Sequence, residues 1–374
     1  MDDIPRGLRF SFTELSGSLG DFGTIIPLIL GVAVVNHLPL GPMLLFIGLW
    51  YIIAGLYYQR PVPIEPMKAI AVIAIASGLS ADAIAAAGIL LGIVFLFFGF
   101  GTWMASLERW IPVSVIRGVQ LGLAFLLIRT TVSFAVADLL FFLAGTLVVI
   151  AFLFVRKYTR VLDLSAIIII FMAVISGILL HGAPAIHLIS PLNLTFPSPA
   201  AFPAAFTELV IPQAFITLTN AILATVLLLK DLFREEVPAQ KLSRMIGAMN
   251  LVSVPLGGFP MCHGAGGLAG QYRFGARTGG ADVYAGVILI IAALFFASGE
   301  VLAIIPIGYF GAFLLFASLE LARYGLRTDR ILVTAVIAVL ALITGMTVAF
   351  VAGMILAYIL LARDREKGTA GIAE

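Results

Sequence analysis

Lys68 stands inside an apolar run, three residues after Glu65, in Glu65-Pro-Met-Lys-Ala-Ile70. An ionisable side chain in such a run is costly and marks a functional position by default. Lys68 is therefore a candidate for holding an anion; the competing role is a salt bridge that merely neutralises Glu65. Glu65 could pair with Lys68 or accept a proton. Asp21, in Ser18-Leu-Gly-Asp-Phe-Gly-Thr24, could cap a break in its helix or carry a coupling proton. Gln213, Thr217 and Asn220 recur at helical spacing, so one face of an apolar helix is polar and must meet a cavity or another helix. The densest stretch is GGFPMCHGAGG, Gly257 to Gly267, which holds the single cysteine, Cys262, beside His263.

That Cys-His pair invites a metal ligand or a nucleophile, and neither fits. One Cys with His37, His181 and His187 in loops gives no ligand spacing. Neighbours on a helix point about 100° apart, which is poor geometry for a nucleophile and its base. Gly264-Ala-Gly-Gly-Leu-Ala-Gly270 lacks the spacing of a dinucleotide loop and the Lys-Ser/Thr of a P-loop. No catalytic residue, metal, cofactor or nucleic-acid partner is expected.

These residues are carried by elements made for lipid. Of 374 residues, 61% are hydrophobic and 11% charged, and the mean hydropathy is +1.14. Apolar runs of near 20 residues recur throughout, which reads as an all-α polytopic membrane protein. The expected spans lie near 13–36, 39–58, 61–79, 82–107, 111–131, 137–155 and 163–181, then 206–229, 241–256, 258–275, 279–299, 302–320, 329–345 and 347–362. The Pro-rich stretch 182–205 separates seven segments in 1–181 from seven in 206–362. A short tail, 363–374, follows.

The halves repeat. Phe12-Thr-Glu-Leu15 recurs as Phe206-Thr-Glu-Leu209, Pro66-Met67 as Pro260-Met261, Gly92 as Gly286 and Ile111-Pro112 as Ile305-Pro306, all at an offset of 194. Seven is odd, so the second copy enters the membrane from the opposite side: an inverted-topology repeat, a transporter design with the ligand near the midplane. With the N-terminus in the cytoplasm, the spans place 19 of the 22 lysines and arginines at cytoplasmic ends and loops. Arg129 lies outside, and Lys68 and Arg117 lie within spans. That bias follows the positive-inside rule, with both termini cytoplasmic.

Two spans are interrupted. Prolines 61, 63 and 66 forbid a helix before Pro66, and the residues after it are helix formers up to Gly78. About five extended residues cover about 16 Å and about thirteen helical ones about 20 Å. Together they match the roughly 30 Å of hydrocarbon, so the helix starts near the midplane. Pro255 to Phe259, followed by Pro260 and a helix through Ala269 and Arg273, repeats the design. Each start exposes unpaired N–H groups and a positive dipole end, which suit an anion. The expected contacts are Met67, Lys68 and Ala69 on one start and Met261, Cys262, His263, Gly264 and Ala265 on the other. Gln213 and Asn220 would line the far side. Glycines at 264, 266 and 267 would let a ligand oxygen approach the backbone.

Gly20-Asp-Phe-Gly-Thr-Ile-Ile-Pro27, Glu65-Pro-Met-Lys-Ala-Ile70, Pro260-Met-Cys-His-Gly-Ala-Gly-Gly-Leu268 and Gln271-Tyr-Arg-Phe-Gly-Ala-Arg-Thr-Gly279 resemble the molybdate transporter family related to the SulP sulfate transporters. The resemblance spans nearly the whole chain. It implies the seven-plus-seven fold shared with uracil permease, a core and a gate, and substrate bound between the third and tenth spans. It also implies a secondary transporter importing a tetrahedral oxyanion, molybdate first, with sulfate or tungstate, or a nucleobase with a proton, as alternatives. Asp21 and Glu65 are the candidates for coupling to a proton or cation. In that family Gln usually precedes Pro-Met-Lys, where this chain has Glu65. No STAS domain is expected after the last span, so a homodimer would have to form without one. The expected location is a cell inner membrane.

Overall fold

The computed structural model describes residues 7–101, 112–158, 165–184, 188, 189, 192, 194–298, 301 and 303–370. The end of the fourth expected span, Ile111, the beginning of the seventh span, His187 with part of its loop, and residues 371–374 lie outside them.

In hydrocarbon a backbone must satisfy its own hydrogen bonds, and this apolar chain does so as helices. The first half runs α1 (Phe12–Ser18), α2 (Phe22–Val35), α3 (Leu40–Tyr58), β1 (Ile64–Pro66), α4 (Lys68–Ser77), α5 (Ala81–Phe98), α6 (Val113–Ala137), α7 (Leu139–Tyr158) and α8 (Ser165–His181). The second runs α9 (Ala201–Phe233), α10 (Ala239–Ser253), β2 (Met261–His263), α11 (Ala265–Arg273), α12 (Gly280–Phe295), α13 (Ile307–Gly325), α14 (Ile331–Thr344) and α15 (Met346–Ala370). Among the described residues five helices are long and apolar enough to cross a membrane, six if α1 and α2 count as one bent span. The molecule is an all-α, multi-pass integral membrane protein. Leu139, Leu140, Leu143, Leu147, Ile150 and Phe154 of α7 are all exposed. A stripe of that kind suits lipid and would be a liability in water.

Packing is reciprocal between the halves. Helix α3 lies against α12 and α5 against α10; α6 lies against α13 and α14, and α13 against α7. Helices α6 and α13 both begin after a proline, Pro112 and Pro306, where the fixed φ and missing N–H suit a helix start. Gly48 and Gly286 face each other in the α3–α12 contact. A Cβ at Gly48 would stand 2.7 Å from the Gly286 carbonyl oxygen, so only hydrogen there permits this approach.

Three local features carry the site. Between α1 and α2 a tight turn, Leu19–Asp21, breaks the first span with a bend of 45°. Helix α9 contains two π-helical stretches, Phe206–Val210 and Thr217–Leu223, which turn its polar residues away from a regular α face. The third is the pair of interrupted spans. Both half-helices start later than expected: Pro66 and Met261 belong to strands, and the helices begin at Lys68 and Ala265. The reason is pairing. The strands bond to each other across the halves, and Met67 N–H extends the pairing by donating to the Pro260 carbonyl at 2.9 Å.

Candidate functional site

Strands β1 and β2 run antiparallel, with Ile64 opposite His263, Glu65 opposite Cys262 and Pro66 opposite Met261. Two short strands cannot satisfy all their own polar groups, and buried ones need partners. Distant side chains provide them. Asn250 accepts from Met261 N–H at 2.9 Å and donates to its carbonyl at 2.7 Å. Asp282 accepts from Val62 N–H at 2.7 Å and from the Gln271 amide at 3.0 Å. His263 Nδ1 lies 3.2 Å from the Pro63 carbonyl, and its ring meets Tyr58 edge-on. All of these side chains are buried.

The pairing brings the starts of α4 and α11 together. Neither helix is capped by its own N-cap residue, Met67 or Gly264; both are capped from elsewhere. For α4, the Gln213 carbonyl oxygen of α9 accepts from Ala69 N–H at 2.8 Å and Ile70 N–H at 3.3 Å. Its amide donates onward to Thr217 at 2.8 Å. For α11, the Glu65 carboxylate of β1 accepts from Gly267 N–H at 3.0 Å. The two starts therefore differ: a neutral amide closes one and a carboxylate the other.

Glu65 is 1% exposed and bonds Lys68 Nζ at 2.7 Å through its second oxygen. The salt bridge weighed as the structural role of Lys68 is thus formed, and Lys68 remains 17% exposed. Asp21 sits at the break in the first span without capping α2. Its Oδ2 accepts from Tyr51 Oη at 2.9 Å, while its Oδ1 is buried without a partner. Two glycines make the room. A Cβ on Gly264 would strike the Glu65 carboxylate, and one on Gly267 would lie 2.5 Å from Asp21 Cγ and 2.6 Å from Glu65 Oε1. The space expected for a ligand oxygen at 264 and 267 holds these two carboxyl groups. Gly266 is open, with the Tyr324 hydroxyl of α13 3.6 Å from where a Cβ would be.

Met67, Lys68, Ala69, Met261, Cys262, His263, Gly264 and Ala265 thus converge around the two helix starts, with Gln213 capping one of them. Asn220 is half-buried farther along α9, where its main-chain carbonyl accepts from Thr225 at 3.5 Å. Cys262 and His263 occupy a strand rather than a helix, so their side chains point to opposite faces. No metal-binding group of three His, Cys, Asp or Glu occurs among the described residues. Tyr51, Asn250 and Asp282 are not among the site residues expected from the sequence, and Gln271 enters there only inside the motif that carries the resemblance. Asn250 and Asp282 are polar residues in apolar stretches, the signal they share with Asp21.

A separate open cavity of about 1360 Å³ lies among His37, Leu40, His181, Gly257, Ala297 and Ile307, at the ends of α2, α8 and α12 and the starts of α3 and α13. It includes none of the residues at the two helix starts.

Known proteins resemble the chain over most of its length. The model of the family described as "Molybdate transporter of MFS superfamily" matches residues 13–127 and 205–321. Molybdate transporter 2 of Arabidopsis thaliana is 32% identical, over 83% of this chain and 78% of its own length. Molybdate transporter 1 of the same plant is also 32% identical, over 84% of this chain and 80% of its own. Among solved structures, the transmembrane domain of the cyanobacterial bicarbonate transporter BicA superposes with a TM-score of 0.66 at 16% identity, covering 94% of this chain and all (100%) of that one. SLC26A9 superposes with a TM-score of 0.69 at 13% identity, covering 94% of this chain and 65% of that one. At such identities these two likenesses speak for the fold alone.

Proposed function

The chain belongs to the molybdate transporter family, and from that premise we propose that it is a secondary active transporter importing a tetrahedral oxyanion between the starts of α4 and α11. Its family transports anions, and it is a transporter rather than an enzyme. Molybdate is the first substrate, since the two Arabidopsis relatives carry that name. Sulfate and tungstate share its shape and charge and are the nearest competitors.

One observation carries this reading: two helix N-termini are brought together by the β1–β2 pairing, with the Lys68 ammonium on the carboxylate that caps the second of them. N–H groups at a helix start and a nearby cation are the donors an oxyanion needs. The amides of Lys68, Ala265 and Gly266 belong to the first turns and have no acceptor among the described residues. Met67, Ala69, Met261, Cys262, His263 and Gly264 shape the pocket around them, with Gln213 and Asn220 on the α9 side. Asp21 and Glu65 are the groups for a coupled proton or cation.

The architecture behind it is fourteen spans in two inverted repeats, 1–181 and 206–362, joined by an outer loop at 182–205 and followed by a cytoplasmic tail from 363. The offset of 194, the reciprocal packing of the halves and the two separate stretches matched by the family model support it. Alternating access would come from moving the core that holds α4 and α11 against α6 and α13.

The direct test titrates the purified protein with molybdate, tungstate, sulfate and uracil while following its thermal unfolding. A ligand that binds only the folded state raises the unfolding temperature. Molybdate is expected to give the largest shift; a shift with uracil alone would replace this function with nucleobase transport.

A further inference from the structure

The start of α11 already holds an anion, and it is part of the chain. Glu65 Oε1 takes the Gly267 N–H at 3.0 Å and Oε2 takes the Lys68 ammonium at 2.7 Å. Beside the amides of Lys68, Ala265 and Gly266, these are the charged and backbone donors open to an oxyanion bound here. The fit is built in: Gly264 and Gly267 lack the Cβ atoms that would collide with this carboxylate. An oxyanion and the Glu65 carboxylate cannot hold the same donors at once.

Asp21 shows where Glu65 can go. Its Oδ1 is buried and has no partner among the described residues. It lies 2.7 Å from the Cβ position of Gly267, and Glu65 Oε1 lies 2.6 Å from that same point, so the two carboxyl groups border one spot beside the start of α11. Both are acceptors, and two ionised carboxylates this close repel. A single proton between them turns the repulsion into a hydrogen bond. The other groups around Glu65 do not replace that proton. Among the described residues Lys68 is the one ammonium paired with Glu65, Tyr51 is committed to Asp21 Oδ2, and Cys262 and His263 lie in the opposite strand. The Tyr324 hydroxyl stands on the Gly266 side.

We propose that Glu65 is a tethered competitor of the transported oxyanion and that it yields the site by taking up one proton and donating it in a hydrogen bond to Asp21 Oδ1. This inference rests on the oxyanion-transporter reading above. The step balances: one proton from solution adds to a Glu65 oxygen, and the contacts of Glu65 with Lys68 and Gly267 N–H break. The incoming oxyanion then takes both donors, and nothing is oxidised or reduced. Without the proton, a dianion would stand beside two carboxylates and one ammonium.

Calorimetric titration of the full-length protein with molybdate, in Tris and in HEPES, counts the protons taken up on binding. The wild-type chain is expected to take up about one proton per molybdate, with affinity falling by up to about tenfold for each unit by which the pH is raised. Glu65→Gln keeps an oxygen for Gly267 N–H but has no charge to neutralise. It is expected to take up none and to bind with an affinity that does not change with pH. Wild-type binding without proton uptake overturns the inference and leaves the substrate reading intact. Equal uptake by Glu65→Gln does the same. If neither protein binds molybdate, tungstate or sulfate, the transporter reading fails and the inference falls with it.

Discussion

At Lys68 one side chain is asked to serve structure and ligand at once. Its ammonium bonds a carboxylate that is 1% exposed, so removing it would leave the Glu65 charge buried and unpaired. Breaking one partner of a buried pair typically costs about 3–5 kcal/mol. Lys68→Ala is therefore expected to lower the unfolding temperature markedly. The double substitution Lys68→Ala with Glu65→Gln removes the stranded charge and is expected to recover most of that loss. Oxyanion affinity should not recover, because the cation that meets the ligand is still missing. Thermal unfolding and molybdate binding, measured on both proteins, separate the two roles. Full recovery of affinity in the double variant would confine Lys68 to neutralising Glu65.

At the level of elements, some features were legible because they follow from one residue's covalent chemistry. Prolines 61, 63 and 66 forbid a helix, and an extended segment followed by a half-helix is what forms. The same logic found the second half-helix but not its strand: Val254–Leu256, overlapping the stretch expected to be extended, forms a 3-10 turn, and β2 forms at Met261–His263, where helix was expected. Both half-helices start late because the pairing of β1 with β2 joins residues nearly 200 positions apart, and no local propensity reports it. The caps were hidden for the same reason. Gln213 and Glu65 close helices they do not belong to, and Tyr51, Asn250 and Asp282 act on partners chosen by packing. Asn250 shows how much depends on such a residue. It satisfies both backbone groups of Met261, and leaving a buried group unpaired costs about 1–3 kcal/mol. Asn250→Ala is expected to destabilise the protein by at least that much and to weaken molybdate binding, since β2 sets where α11 begins. Unchanged unfolding and unchanged affinity would show that the β1–β2 pairing holds Met261 without it.

On the scale of the whole molecule, the reciprocal contacts of α3 with α12 and of α5 with α10 make sense if each half supplies the complement of the other. That requires an odd number of crossings per half, so that the copies face opposite sides of the membrane. The positive residues predict which side is which, and the single cysteine makes the prediction measurable. Cys262 is 5% exposed, so the unsubstituted chain provides the blank for a membrane-impermeant maleimide. Arg9, Ser198 and Glu236 are exposed and suit single substitution by cysteine. Ser198 bonds Asp82 through its main-chain N–H, which the change leaves alone, and Glu236 loses only an exposed pair with Lys230, which contributes little. Seven expected spans separate Arg9 from Ser198, and α9 alone separates Ser198 from Glu236. Ser198→Cys is therefore expected to react in intact cells. Arg9→Cys and Glu236→Cys are expected to react only after permeabilisation. Reaction of Arg9→Cys and Ser198→Cys from the same side would mean an even number of crossings in the first half. The second half would then enter the membrane in the same sense as the first, and α4 and α11 could not start face to face from opposite sides.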